Sequence, residues 1–240
     1  MTSLDVTVHD GPESSPTVIL VHGALDRSAN FARVATALSD LRVVRYTRRG
    51  YDGSGPAGGV PIDVHVADLL ALLDRPSVLI GHSYGALIAL GAAVQRPDLV
   101  QAVGVYEPPL PWEPWWPPRF RFDDDSTAAE TFFRSVVGHD AWDRLPERFR
   151  QARVADGPAL VADVGSAVGG LEFDFTDVLS PVAAAHGSET TDAFRRSAET
   201  VAADCVHGAR LTVIEGAAHG AHLTHPSEFA DWIRDVVSLT

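Results

Sequence analysis

The chain has 240 residues, 45% of them hydrophobic, and a formal net charge of −13, which is enough apolar material for a large core in one domain carrying an insertion. Its 19 basic residues are scattered rather than clustered, which excludes nucleic acid as a partner. No apolar run reaches the roughly 18–20 residues that span a bilayer, Met1 to Gly11 lacks a basic-then-apolar leader, and the single cysteine, Cys205, has no intramolecular partner, so a cytoplasmic setting away from membranes is expected.

Leu4-Asp5-Val6-Thr7-Val8 alternates apolar and polar residues as an edge strand does, and Asp10-Gly11-Pro12 turns the chain. Thr17 to Val21 is a continuous apolar run, typical of a strand covered on both faces, and it runs into His22-Gly23-Ala24-Leu25. Phe31, Val34 and Leu38 fall at helical spacing, so Ser28 to Ser39 reads as a helix before a third strand, Arg42 to Tyr46. Strand, helix and strand in succession predict a parallel sheet, whose carboxyl edge is where ligands bind. Arg48-Arg49-Gly50-Tyr51-Asp52-Gly53-Ser54-Gly55 lacks the Gly-Lys-Ser/Thr ending of a phosphate loop and reads as a turn with solvated arginines.

Ile62, Val66, Leu69, Leu70 and Leu73 mark an amphipathic helix. Next come an apolar run, Val78-Leu79-Ile80, then Gly81-His82-Ser83-Tyr84-Gly85, then small and aliphatic residues to Val94. Strand, G-x-S-x-G and helix is the pattern of a nucleophile held at a strained turn, with the Tyr84 N–H at the helix start facing developing negative charge. His82 within the motif reads as a packing residue. Val100 to Tyr106 forms the next strand and stops at Glu107-Pro108-Pro109.

From 108 to 180 the character changes. Pro111, Pro114, Pro117 and Pro118 interrupt regular structure, while Trp112, Trp115, Trp116, Phe120 and Phe122 concentrate aromatic surface. Helical patterns follow over Thr127 to Val137 and Trp142 to Ala155, and Asp123-Asp124-Asp125 reads as a solvated loop or helix start. A mainly helical insertion over the catalytic edge is expected, with 1–107 and 181–240 forming the core. The sheet resumes at Pro181 to Ala185, followed by a helix with Phe194, Ala198, Val201, Ala202 and Cys205 on one face. Arg210 to Ile214 is the last strand, and a closing helix begins near Pro226.

A serine hydroxyl needs a base, and the base needs a group that fixes its tautomer. His219 lies in a small-residue loop past the last strand, with His222 and His225 as rivals in sequence. Val21-His22-Gly23-Ala24, Gly81-His82-Ser83-Tyr84-Gly85 and His219 after the final strand, in that order across nearly the whole chain, resemble the α/β-hydrolase superfamily. That resemblance implies a mostly parallel sheet with helices on both faces, a cap where the insertion falls, and an oxyanion hole from the N–H groups of Tyr84 and Ala24 or Leu25.

Most members of that superfamily carry an Asp at Gly-x-x-Asp after the penultimate strand, but Gly187-Ser188-Glu189-Thr190 has threonine there. The acid is therefore Glu189, one position earlier, or Glu107, at the end of the strand after the serine helix. A buried partner for a charged histidine explains a carboxylate at an apolar strand end, which favours Glu107. Its placement is similar to that in zearalenone-type lactonases.

The expected activity is hydrolysis of a carboxylic ester or lactone, with Leu25, Trp112, Trp115 and Trp116 against an apolar or aromatic small-molecule substrate and no metal or organic cofactor required. C–C bond or thioester hydrolysis and a non-catalytic ligand receptor are the alternatives, and a homodimer is one admissible assembly.

Overall fold

The computed structural model describes residues 4–55, 58–117, 122, 124–206 and 209–240. Of the positions singled out above, Met1, Pro118, Phe120 and Asp123 lie outside the described residues. Seven strands, β1 (Asp5–His9), β2 (Thr17–Val21), β3 (Arg42–Thr47), β4 (Ser77–His82), β5 (Val100–Tyr106), β6 (Val182–Gly187) and β7 (Arg210–Ile214), form one sheet in the order β1-β3-β2-β4-β5-β6-β7. β1 runs antiparallel to β3 at one edge, and the other pairings are parallel.

β2, β4 and β6 are buried along their whole length, as continuous apolar runs require when helices cover both sheet faces. One face packs against α2 (Ile62–Ala71), α3 (Tyr84–Gln95) and α8 (Asp192–Asp204) through residues such as Leu69, Leu87 and Val201. The opposite face packs against a 3-10 turn (Ser28–Phe31), α1 (Ala32–Ala37) and α10 (Pro226–Val237) through Phe31, Val34, Phe229 and Ile233. Cys205 is buried beside α8, and burial pushes its thiol up to about 11, so it behaves as a small apolar residue.

Between β5 and β6 the chain contributes α4 (Asp125–Val136), α5 (His139–Arg144), α6 (Glu147–Ala155) and α7 (Gly157–Val168). The single helix expected over Trp142 to Ala155 is two helices, because Pro146 has no N–H to continue the ladder and holds Leu145 in an extended conformation, ψ 131°. α7 escaped the sequence reading: Gly157-Pro158 looks like a turn, yet proline is well suited to the first turn of a helix. Asp124 does cap α4, its carboxylate accepting from the Thr127 N–H. Among the described residues no helix is long and apolar enough to cross a membrane.

Candidate active site

The sheet register sets neighbouring strand ends side by side. His82, the last residue of β4, pairs with Tyr106, the last of β5, so Ser83 and Glu107 leave the carboxyl edge next to each other. A shared oddity of conformation follows. Among the described residues, four non-glycine residues have positive φ: Leu25 (53°), Asp52 (47°), Ser83 (53°) and Glu107 (49°). Each such residue costs of order 1–3 kcal/mol and persists only where its surroundings over-determine it. Three of the four are residues the sequence points to as catalytic, oxyanion-hole or substrate contacts.

Ser83 is held by its N–H donating to the Tyr106 carbonyl at 2.8 Å and its carbonyl accepting from Ala86 N–H at 2.9 Å. The glycines around it are steric necessities. A Cβ on Gly85 would sit 2.2 Å from the Val21 carbonyl oxygen, and one on Gly23 would sit 2.9 Å from the Ser83 Cβ. The loop after β2 is thereby pressed against the serine turn, and Ala24, Ser83 and Tyr84 face one cavity.

Glu107 is fully buried and accepts twice: Oε2 from His219 Nδ1 at 2.6 Å and Oε1 from the Gly187 N–H at 2.9 Å. Since a carboxylate only accepts, the ring proton of His219 lies on Nδ1 and Nε2 keeps its lone pair. The Phe194 ring stacks on His219 at 4.0 Å between centroids, and Phe194 lines the same cavity as Ser83. No hydrogen bond joins Ser83 Oγ to His219 among the described residues. Catalytic hydrogen bonds of this kind are often long before substrate arrives. Glu189 is exposed, and its N–H donates to the Ala217 carbonyl at 2.8 Å. His222 is buried beside Asp26, and His225 bonds locally to Thr224.

The cavity measures about 60 Å³ and is walled mainly by apolar groups, among them Pro109, Trp116, Phe132, Val164 and Phe194. Of the three tryptophans singled out in the sequence, all pack partly buried on the apolar core shared with α2, α3 and α8, and Trp116 also lines the cavity. Leu25 packs under α4 and α7 with Ala128, Ala129 and Leu160. Phe194 carried a sequence signal only as a core-facing helix residue, and Asp163, the cavity's acidic wall, carried none.

Arg48 corrects the expectation of solvated arginines. It is fully buried, with NH1 and NH2 donating to Asp163 at 3.1 and 2.6 Å and Nε donating to the His22 carbonyl at 3.1 Å. Arg49 pairs with Asp68. Burial is opposed and outweighed by the Arg48 guanidinium and His65, which hold the Asp163 carboxyl at about 2. His22 is buried as a neutral ring: Nδ1–H donates to the Gly23 carbonyl at 2.8 Å and Nε2 accepts from the Arg48 N–H at 2.8 Å. Burial, and then Arg48, lower it to about 3.

The sequence pattern described as the alpha/beta hydrolase family matches residues 18–232. Lipase LipV of Mycobacterium tuberculosis is 32% identical over 102 residues, which are 41% of this chain and 39% of that protein, so the chain spans about two fifths of the length of this relative. Among solved structures, a hydrolase from Pseudomonas aeruginosa PA01 superimposes with a TM-score of 0.77 at 20% identity, covering 97% of this chain and 93% of that one. The enol-lactonase from Burkholderia xenovorans LB400 gives 0.76 at 20% identity, covering 98% and 96%. At that identity the likeness concerns the fold.

Proposed function

Because this chain belongs to the alpha/beta hydrolase family, we propose that it cleaves a carboxylic ester or lactone of a small, apolar molecule through an acyl-enzyme on Ser83. Residues 108–180 act in this reading as a cap over the site, since α4 and α7 supply cavity walls at Phe132 and Val164. The observation that carries the reading is the Glu107–His219 contact at 2.6 Å. It leaves the basic Nε2 of His219 available at the sheet edge where Ser83 is held strained.

In the first step Ser83 Oγ attacks the acyl carbon as His219 Nε2 takes its proton, and Glu107 stabilises the imidazolium without itself being protonated. The N–H groups of Tyr84 and of Ala24 or Leu25 hold the oxyanion. His219 next protonates the leaving alcohol, which in a lactone stays tethered to the acyl group, and then activates water for deacylation. The apolar walls of the cavity suit a hydrocarbon body and exclude water from competing charges.

A fluorophosphonate probe tests this directly. One covalent adduct is expected, mapped by mass spectrometry to the peptide carrying Ser83 and absent from Ser83→Ala. A folded wild-type protein that forms no adduct overturns the serine-nucleophile mechanism.

A further inference from the structure

Behind the serine turn, three buried side chains outside the Ser83–His219–Glu107 set bring lone pairs together without hydrogen-bonding to one another. Asp26 comes from the loop after β2, His82 ends β4, and His222 belongs to a short helix, α9 (Ala221–Thr224). Asp26 Oδ2 lies 3.3 Å from His222 Nε2 and 3.9 Å from His82 Nδ1, and the three ligand atoms all fall within 4.8 Å of one another. The side chains are 10%, 6% and 3% exposed in the order Asp26, His82, His222. None of these atoms has a hydrogen-bond partner, nor has His222 Nδ1. A buried polar atom left unpaired costs about 1–3 kcal/mol, and more when charged.

Protons alone do not account for the arrangement. His82 Nε2 stands 2.7 Å from the His219 carbonyl oxygen, which can only accept, so Nε2 carries the hydrogen and Nδ1 presents a bare lone pair toward the cluster. Asp26 Oδ1 is satisfied by the Arg27 N–H at 2.8 Å and by the Asn30 side-chain amide. The Arg27 guanidinium turns away to Asp52 and Asp156. That leaves Asp26 Oδ2 and His82 Nδ1, two acceptors, facing a gap. A proton on His222 Nε2, 3.3 Å from Asp26 Oδ2, could serve only the carboxylate and would leave His82 Nδ1 without a donor.

We propose that Asp26, His82 and His222 bind a single first-row divalent metal ion, zinc best among them, which braces the loop after β2, the serine turn and α9. Two imidazole nitrogens and one carboxylate oxygen suit such ions rather than calcium or magnesium. Bonds of about 2.0–2.1 Å in tetrahedral array put ligand atoms roughly 3.3 Å apart, which is the Asp26–His222 separation. His82 Nδ1, 3.9 Å from Asp26 Oδ2, would have to close by about half an ångström on the carboxylate and also draw toward His222, whose ligand atom lies within 4.8 Å of it. Its remaining ring N–H already donates to a backbone carbonyl, the usual support of a ligating histidine. The Phe31 ring, 4.8 Å from His222, and the Tyr106 ring, 5.9 Å from His82, wall the site with aromatic surface. Through the His82-to-His219 carbonyl bond the ion would steady the loop carrying His219, as a positioning element outside the acyl-transfer chemistry. This site does not depend on the proposed ester or lactone substrate.

The test uses the full chain, stripped with chelator and dialysed metal-free. Titration calorimetry should give one equivalent of Zn²⁺ with micromolar or tighter affinity, Co²⁺ should develop visible d–d absorption, and the thermal midpoint should rise with either ion. His222→Gln and Asp26→Asn should weaken binding roughly 100-fold or more while keeping the wild-type circular dichroism spectrum. If Asp26→Asn does not fold, His222→Gln and the wild-type cobalt spectrum decide. Absence of saturable binding by wild type overturns the proposal, and so does a His222→Gln variant that binds as tightly as wild type, which would place the ion elsewhere. Fluorophosphonate labelling of the same metal-free samples separates failure of this site from failure of the serine mechanism.

Discussion

At the scale of single residues, Glu107 is a tightly constrained carboxylate. Its side chain is fully buried, its backbone is held at φ 49°, and both oxygens are engaged, one by His219 and one by the Gly187 N–H. A buried charge is tolerated only when paired in this way. Glutamine there keeps the shape but offers a donor or a neutral acceptor to Nδ1, so the tautomer and the imidazolium both lose support. Glu107→Gln is therefore expected to lower kcat toward p-nitrophenyl esters by about 10²- to 10⁴-fold, while Glu189→Gln, altering an exposed side chain, stays within about twofold by the same kinetic measure. The reverse ranking would move the acid to Glu189. The reasons for favouring Glu107 were legible in the sequence, because an acid at the end of an apolar strand asks for a partner. The Asp26–His82–His222 cluster was not legible, since its members lie on three elements that only the tertiary fold assembles. Arg48 misled for the same reason: its partner Asp163 is 115 positions away.

At the scale of elements, the serine turn works because β4 hands directly into α3, and α3 starts against the end of β2. Gly85 is the contact point. A methyl group there meets the Val21 and His22 carbonyl oxygens at 2.2 and 2.6 Å, and both belong to rigid backbone, so the helix must lift off the strand. Gly85→Ala should destabilise by about 3 kcal/mol or more, beyond the usual cost of overpacking, and should lower fluorophosphonate reactivity as Ser83 shifts. Urea denaturation reads the first effect, and an unchanged midpoint would show that the turn accommodates the methyl. The parallel strands were legible as uninterrupted apolar runs, and β5 and β7 have the expected bounds, Val100–Tyr106 and Arg210–Ile214. The helices between β5 and β6 were less so. There proline both starts a helix, at Pro158, and separates two, at Pro146, and only packing distinguishes those roles.

At the scale of the whole molecule, a fully buried ion pair joins the segment between β5 and β6 to the loop that follows β3. Asp163 on α7 receives Arg48 through two nitrogens, and the Tyr51 hydroxyl donates to it at 2.6 Å. Arg48 at the same time donates to the His22 and Gly23 carbonyls at 3.1 and 2.9 Å, in the loop that abuts the serine turn. The position of α7, and with it the cavity wall at Val164 and Ala167, is thus tied to the loop that would form the oxyanion hole. Two opposing free energies decide what the pair contributes. Desolvating two charges nearly cancels their attraction, whereas removing one partner strands the other, at a cost of about 3–5 kcal/mol. Asp163→Leu should therefore lose about that much stability by urea denaturation and speed hydrogen exchange in α7. The double substitution Arg48→Met with Asp163→Leu should recover most of the loss, because no charge then remains buried. If the double variant is no more stable than Asp163→Leu, the pair's worth lies in its hydrogen bonds to His22 and Gly23, and the tie between α7 and the loop runs through backbone geometry instead of charge.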